Sequence, residues 1–256
     1  MNEYELLKNN GNTVIIRRDS KDAILSDLLS DFKNLKPVQT LKGRVEHKVY
    51  QFNSSNLKVI YKRNYRGGLL SFLNDKYFNI SKFAKIGDLS NYLSRNKIES
   101  AELIALKITH KGIFKMANEV YTYIEGKDFP SILNQSTFQQ RQHYLELISS
   151  LFRRLNKFGL YHNDLHPNNI LLSNGNIILL DLASVSYKQS PLSFSNSVRQ
   201  LIRFVRYCLK YRIKISDQEI IFLFQSSLER EISKKYALNL CKTNYFWHRL
   251  FWKINR

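Results

Sequence analysis

"YHNDLHPNNILL", residues 161–172, sets two histidines, an aspartate and a pair of asparagines around one proline and ends in an apolar run. Three readings compete for it, and each predicts a different molecule. On a strand, His162, Asp164 and His166 at i, i+2, i+4 would point to one side, as metal ligands do. Pro167 and the paired asparagines argue against a regular strand, however, and no further ligand cluster accompanies them in the sequence. A polar turn without chemistry fits the Asn and Pro content but leaves the flanking pattern and Asp181 unexplained.

The flanks favour the third reading. Upstream, "TFQQRQHYLELISSLFRRLNKFG" (137–159) places Leu145, Ile148, Phe152 and Leu155 on one helical face and closes on Gly159 at a C-cap position. Downstream, "NNILL" and "NIILLD" are two short apolar strands joined by the turn "SNG". Between helix and hairpin, His162, Asp164 and Asn169 keep the spacing H-x-D-x-x-x-x-N, with Asp181 closing the hairpin. This is the order of a phosphotransfer loop in a protein-kinase-like fold. The chemistry explains the residue types. An aspartate at position 164 can accept a hydroxyl proton and orient the attacking oxygen, while Asn169 and Asp181 offer hard oxygen ligands for Mg²⁺ bridging the phosphates of ATP.

Such a fold needs a phosphate-holding lysine on an earlier strand. "LKVIYKRN" offers Lys62 behind the apolar pair Val59 and Ile60, with Lys58 and Arg63 as competitors. The glycine-rich cover over the nucleotide is reduced to "LKGRVEHKVY", where Gly43 is the candidate contact. Between residues 69 and 98 the only acids are Asp75 and Asp88, so no helix glutamate is available for Lys62 and its acidic partner is unassigned.

Bulk properties bound these readings without choosing among them. With 256 residues, 43% of them hydrophobic, the chain can bury one large or two small cores. No window approaches the roughly 18 apolar residues of a membrane-spanning helix, and "MNEYELLKNN" lacks the features of a signal peptide, so a cytoplasmic protein is expected. Cys208 and Cys241 stand in no CxxC spacing and are expected as free thiols. The net charge of +19 suits anionic partners such as phosphates, nucleic acid or anionic lipid, although a Lys-rich and Asn-rich proteome would produce it too.

The pattern changes character near residue 125. "NTVIIRRD" (12–19), "HKVYQF" (47–52) and "LKVIYKR" (57–63) read as strands, with "NSSN" as a hairpin turn between the last two. Phe83, Ile86, Leu89 and Leu93 then fall at helical spacing, and "AELIALKI" and "NEVYTYIEG" return to strand. An α+β, bilobal architecture follows: a sheet-rich nucleotide-binding lobe over residues 1–125 and a helical catalytic lobe over 126–256. "SVRQLIRFVRYCLKY" is one of the helices of the second part. At the end of the chain, "NYFWHRLFWKINR" spaces Trp247, Leu250, Phe251 and Ile254 on one face and Arg249, Lys253 and Arg256 on another. That amphipathic basic helix either packs on the larger lobe or lies at an anionic membrane surface.

At these residues the chain resembles the lipopolysaccharide kinase family, and within it the 3-deoxy-D-manno-octulosonic acid (Kdo) kinases. The more specific part is "YKRNYRGGLLSFLNDKYF" (61–78), similar to the family's basic "YRxGG" turn and "D-[KR]-Y" helix after the lysine strand. The likeness continues through "NKIESAELIAL", "HNDLHPNNILL" and "IILLDLASV" and covers roughly residues 40–210; the catalytic loop itself is shared with aminoglycoside, choline and RIO-type kinases. The resemblance implies ATP phosphates on Lys62, Asp164 as catalytic base, Mg²⁺ on Asn169 and Asp181, and γ-phosphoryl transfer to a sugar hydroxyl of Kdo on a lipid A precursor. A membrane-embedded acceptor of that kind implies peripheral attachment to the inner face of the cytoplasmic membrane, and nucleic acid is not an expected partner. The chain departs from the family pattern in its missing helix glutamate, in Val45 where a second glycine of "GRG" is usual, and in the Asp-Leu-Ala that begins at Asp181. A RIO-like or Bud32-like protein kinase and a non-enzymatic kinase-like binding module are the alternatives.

Overall fold

Val14 and Ile16 are buried while their neighbours along β2 (Asn12–Arg17) are half-buried, the period-2 signature of a strand with one covered face. In the computed structural model, which describes residues 3–9, 11–41, 47–52, 57–64, 75–77 and 85–254, with side-chain surroundings given for all of these but 9, 248 and 250–254, β2 belongs to a seven-stranded sheet. The other strands are β1 (Tyr4–Asn9), β3 (Gln39–Leu41), β4 (His47–Phe52), β5 (Leu57–Arg63), β6 (Leu103–Lys111) and β7 (Phe114–Thr122). Their order is β1-β2-β6-β7-β5-β4-β3, antiparallel throughout. Gly43, Val45, "NSSN", Phe83 and most of "YRGGLLSFLNDKYF" lie outside the described residues. The chain divides into two units, residues 1–92 with 101–124, and 93–100 with 125–256.

One face of the sheet is covered by α1 (Lys21–Leu29), whose Ile24 and Leu28 join Val14, Ile16, Tyr50, Val59 and Val120 in the core. The helix ends where Asp31 and Phe32 both take positive φ, 55° and 57°. Phe32 then folds into the core and stacks on Tyr50 at 4.8 Å. Lys107, on β6, reaches the same turn and donates to the carbonyls of Leu28 (3.2 Å) and Leu29 (2.7 Å) and to Asp31 Oδ1 (2.9 Å). Tyr61 and Asn118 also donate to Asp31 Oδ1, each at 3.1 Å. A buried ammonium is costly unless it is paired and hydrogen-bonded, and here it meets the negative end of a helix as well as a carboxylate.

The second unit is mainly helical. Its elements are α2 (Ile86–Arg95), which begins in the first unit, then β8 (Lys127–Asp128), α3 (Phe129–Gln135), α4 (Phe138–Lys157), β9 (Leu160–His162), β10 (Ile170–Ser173), β11 (Asn176–Leu179), β12 (Val185–Tyr187), α5 (Phe194–Lys210), α6 (Asp217–Leu228) and α7 (Lys234–Ile254). Thr137 and Gln140 form a capping box at the start of α4, and Ser216 and Glu219 do the same for α6. Arg141 joins the two helices through Glu219, with Nε to Oε1 at 2.7 Å and Nη2 to Oε2 at 3.0 Å. Leu145, Ile148, Phe152 and Leu155 form the buried stripe of α4, and Phe204 of α5 packs edge-on against Phe152 at 5.6 Å. Both cysteines are free and buried, and burial pushes the Cys241 thiol up to about 12.

Two glycines shape the backbone around the quoted loop. Gly159 takes φ 66° after α4, and a Cβ there would stand 2.2 Å from the Ser190 carbonyl oxygen and 2.3 Å from that of Lys188. Only glycine fits, and β9 starts at the next residue to pair with β12. Asn174 (φ 49°) and Gly175 (φ 80°) are both left-handed, as a two-residue hairpin turn requires, and they set the register of β10 with β11.

Candidate active site

The loop 162–169 is not a free polar turn, because a buried histidine ties its start to the segment that precedes Asp181. The backbone N–H of Asp164 donates to His162 Nδ1 at 3.2 Å, and His162 Nε2 lies 3.2 Å from the carbonyl oxygen of Leu180. A backbone N–H can only donate, so Nδ1 is the acceptor and the ring proton sits on Nε2, aimed at Leu180. Burial holds the imidazole neutral, with its pKa lowered to about 4 despite the nearby Asp181 and Asp164 carboxylates. His162 therefore bridges the segment carrying Asp164 to the one carrying Asp181 as an uncharged clamp.

Asn169 closes the same loop from the other end. Its Nδ2 donates to the Asp164 carbonyl at 2.9 Å, its N–H donates to the His166 carbonyl at 2.9 Å, and its own carbonyl accepts from Leu180 N at 2.9 Å. With the amide nitrogen spent on Asp164, the side-chain oxygen is the atom left to face a ligand. Asp181 sits at φ 57°, ψ 57°, a conformation that costs a non-glycine residue on the order of 1 kcal/mol, and its Oδ2 accepts from Ser184 Oγ at 2.8 Å. An amide oxygen and a carboxylate are the hard donors Mg²⁺ takes, so the donor chemistry fits such an ion. Among the described residues no group of three or more His, Cys, Asp or Glu is arranged to hold a metal ion.

His166, the third residue of the i, i+2, i+4 set, lies beside Asp164. Its Nε2 is 3.7 Å from Asp164 Oδ2, and the Tyr207 hydroxyl approaches Asp164 Oδ1 at 3.4 Å. Burial lowers the pKa of His166 and raises that of Tyr207, so both are neutral partners of the carboxylate at neutral pH. Asp164 keeps a side chain 47% exposed, open enough for a substrate hydroxyl to reach it. Gln200, fully buried on α5, fixes the strand leading into the loop: Oε1 accepts from His162 N at 2.7 Å and Nε2 donates to the Leu160 carbonyl at 3.3 Å.

In the first unit, Lys62 on β5 stands directly opposite Glu119 on β7 in the strand register, and its Nζ lies 4.0 Å from Glu119 Oε2. Glu119 is fully buried, while the Lys62 side chain keeps 22% of its surface exposed. Both project to the sheet face opposite α1, since Tyr61 and Asn118, the adjacent residues, turn to the α1 side. A carboxylate for Lys62 thus comes from a neighbouring strand, where a reading of the helix acids could not find it; the trace in the sequence is a lone acid inside the apolar run "NEVYTY". Gly43, the fifth candidate, lies outside the described residues.

The family model described as the lipopolysaccharide kinase (Kdo/WaaP) family matches residues 33–225. No match is found among curated protein sequences. Among solved structures, WaaP in complex with acyl carrier protein is similar over 91% of this chain and 97% of its own, at 8% identity and a TM-score of 0.63. Amicoumacin kinase hAmiN in complex with AMP-PNP, Ca²⁺ and Ami is similar over 87% of this chain and 83% of its own, at 14% identity and a TM-score of 0.50. At these identities the likeness carries the fold: an α+β, protein-kinase-like chain.

Proposed function

We propose, for a chain that belongs to the lipopolysaccharide kinase (Kdo/WaaP) family, that it transfers the γ-phosphoryl group of ATP to a sugar hydroxyl of Kdo on a lipid A precursor. Family membership makes it a kinase; the acceptor and the residue roles are our assignment. The observation that carries the residue roles is the His162 clamp, which joins the segments of Asp164 and Asp181 while Asn169 bonds both; the acceptor follows the family.

In this reading the acceptor hydroxyl approaches Asp164, which takes its proton as the oxygen attacks the γ-phosphorus and the bond to the β-phosphate oxygen breaks. Phosphoryl transfer asks little covalent chemistry of the protein and much positioning, and the clamp and Gln200 supply it by fixing the backbone on both sides of the base. Asn169 and Asp181 would hold Mg²⁺, which supplies charge neutralisation on the phosphates. Lys62, held by Glu119, would bind the ATP phosphates, with Gly43 covering them. Because the acceptor is lipid-linked, the C-terminal helix would rest on an anionic membrane surface. No described helix is long and apolar enough to cross a membrane.

The test is incubation with ATP, Mg²⁺ and a Kdo-bearing lipid A precursor, followed by product mass. One added phosphate that fragmentation places on Kdo, and that chelator abolishes, is the expected result. Phosphate transferred to a protein instead, or no transfer to the lipid at all, would reject it.

A further inference from the structure

Beside Asp164, helix α5 presents a set of side chains that the steps above do not use. Arg203, Arg206, Tyr207, Lys210 and Tyr211 recur at the i, i+3, i+4, i+7, i+8 spacing of one helical face, Tyr211 being the residue that caps the helix. Tyr207 and Tyr211 stack at 5.7 Å with their planes 23° apart, and His166 packs against both, at 5.0 and 6.1 Å between ring centroids. The cations lie over these rings: Arg206 is 5.3 Å from the centre of Tyr207, and Lys210 is 5.3 Å from Tyr207 and 5.9 Å from Tyr211. Two of them are also tied down, Arg203 by a 3.3 Å bond to the His162 carbonyl and Arg206 by one to Asn244 Oδ1. Each guanidinium has five N–H donors, so these single anchors fix the groups without exhausting them.

The ledge is polar, cationic and aromatic, it is continuous with the base through Tyr207 and His166, and its outer end is exposed, with Tyr211 39% accessible. Such a surface fits a ring with an apolar face and a negative substituent. A ring stacked on the tyrosines would bring a hydroxyl toward Asp164, and its anion would meet Lys210 and the arginines. Resting on the kinase reading above, we infer that this face of α5 is the acceptor subsite and that it selects an anionic sugar by gripping its charge. The anion is the sugar's own carboxylate or a phosphate on the adjoining sugar.

The experiment compares wild type with Lys210→Gln and with Lys210→Gln/Tyr211→Ala. The acceptors are the Kdo-bearing lipid precursor, the same compound with its carboxylate converted to a methyl ester, and the same compound with its phosphates removed. Loss of one charge-assisted contact should raise the acceptor KM about ten-fold, with the KM for ATP unchanged. On the acceptor form that lacks the gripped anion, wild type should show that same loss, Lys210→Gln should add none, and the double variant should add only the loss of stacking on Tyr211. The arm in which the Lys210→Gln penalty vanishes identifies which anion is held. Transfer by the variants with wild-type KM for the intact acceptor overturns the ledge while leaving the kinase reading in place. Failure of wild type to phosphorylate any of the three overturns that reading, and the ledge with it. Lys210→Gln alone changes an exposed residue, so it keeps the comparison decisive should the double variant melt early.

Discussion

Lys62 and Glu119 meet because antiparallel register sets residues of two strands side by side, and register is invisible in a single stretch of sequence. Asp164, Asn169 and Asp181 are different. Their spacing is set within one loop and hairpin, so residue type and separation were enough to single them out, and the structure gathers them through His162 and the Asn169 amide. Gln200 and Tyr207 come from a helix some forty residues away, and a glutamine or tyrosine on a helix carries no signal of its own. The pairing of Lys62 with a buried carboxylate leads to a prediction. Glu119→Gln keeps the shape but removes the charge that orients the lysine, so kcat/KM for ATP should fall about 10- to 100-fold, with little change in the KM for acceptor. Steady-state kinetics in each substrate checks this; an ATP dependence within about two-fold of wild type in a folded variant would sink the role.

At the scale of elements, strands and helices with a strong period could be read directly. β2, β4 and β5 follow from β-branched and aromatic runs, and α4 follows from its stripe and its closing glycine. α1 was not legible: it is nine residues long, has no side-chain N-cap bond, and holds its end through Lys107 from a distant strand. The last helix was legible but begins earlier than its amphipathic stripe suggested, at Lys234. Phe246 and Trp247 on it are 58% and 53% exposed, with their rings edge-to-face at 5.9 Å, while Ala237 and Cys241 are buried. The N-terminal half of the helix therefore packs, and the exposed aromatic pair lies beyond it. Leu250, Phe251 and Ile254, the rest of the stripe, are outside the described side chains. An exposed aromatic pair next to basic residues suits a membrane interface. Sedimentation with anionic vesicles should be weakened about ten-fold by Phe246→Ala/Trp247→Ala and by high salt, without loss of folding. Equal binding by both proteins, or binding only to neutral vesicles, would remove the helix from the account.

For the whole molecule, a charge of +19 announced an anionic partner but could not say where the cations go. The structure separates their uses. Lys107 is buried as a helix cap, Arg141 joins two helices, and Arg203, Arg206 and Lys210 line one face of α5 beside Asp164. Composition could never distinguish these, because burial and neighbours decide what a lysine does. The α+β, kinase-like fold was legible since a sheet-rich part, a long helix, a polar loop and an apolar hairpin occur in an order that few folds share. Everything proposed about function converges on one carboxylate. The most direct measurement is the rate of phosphoryl transfer from ATP to the Kdo-bearing acceptor by Asp164→Ala, set beside its affinity for ATP. Loss of the base should slow transfer by about 10² to 10⁴ while ATP binding stays within about three-fold of wild type. Transfer within about three-fold of wild type, by a variant that folds and binds ATP, would contradict the account.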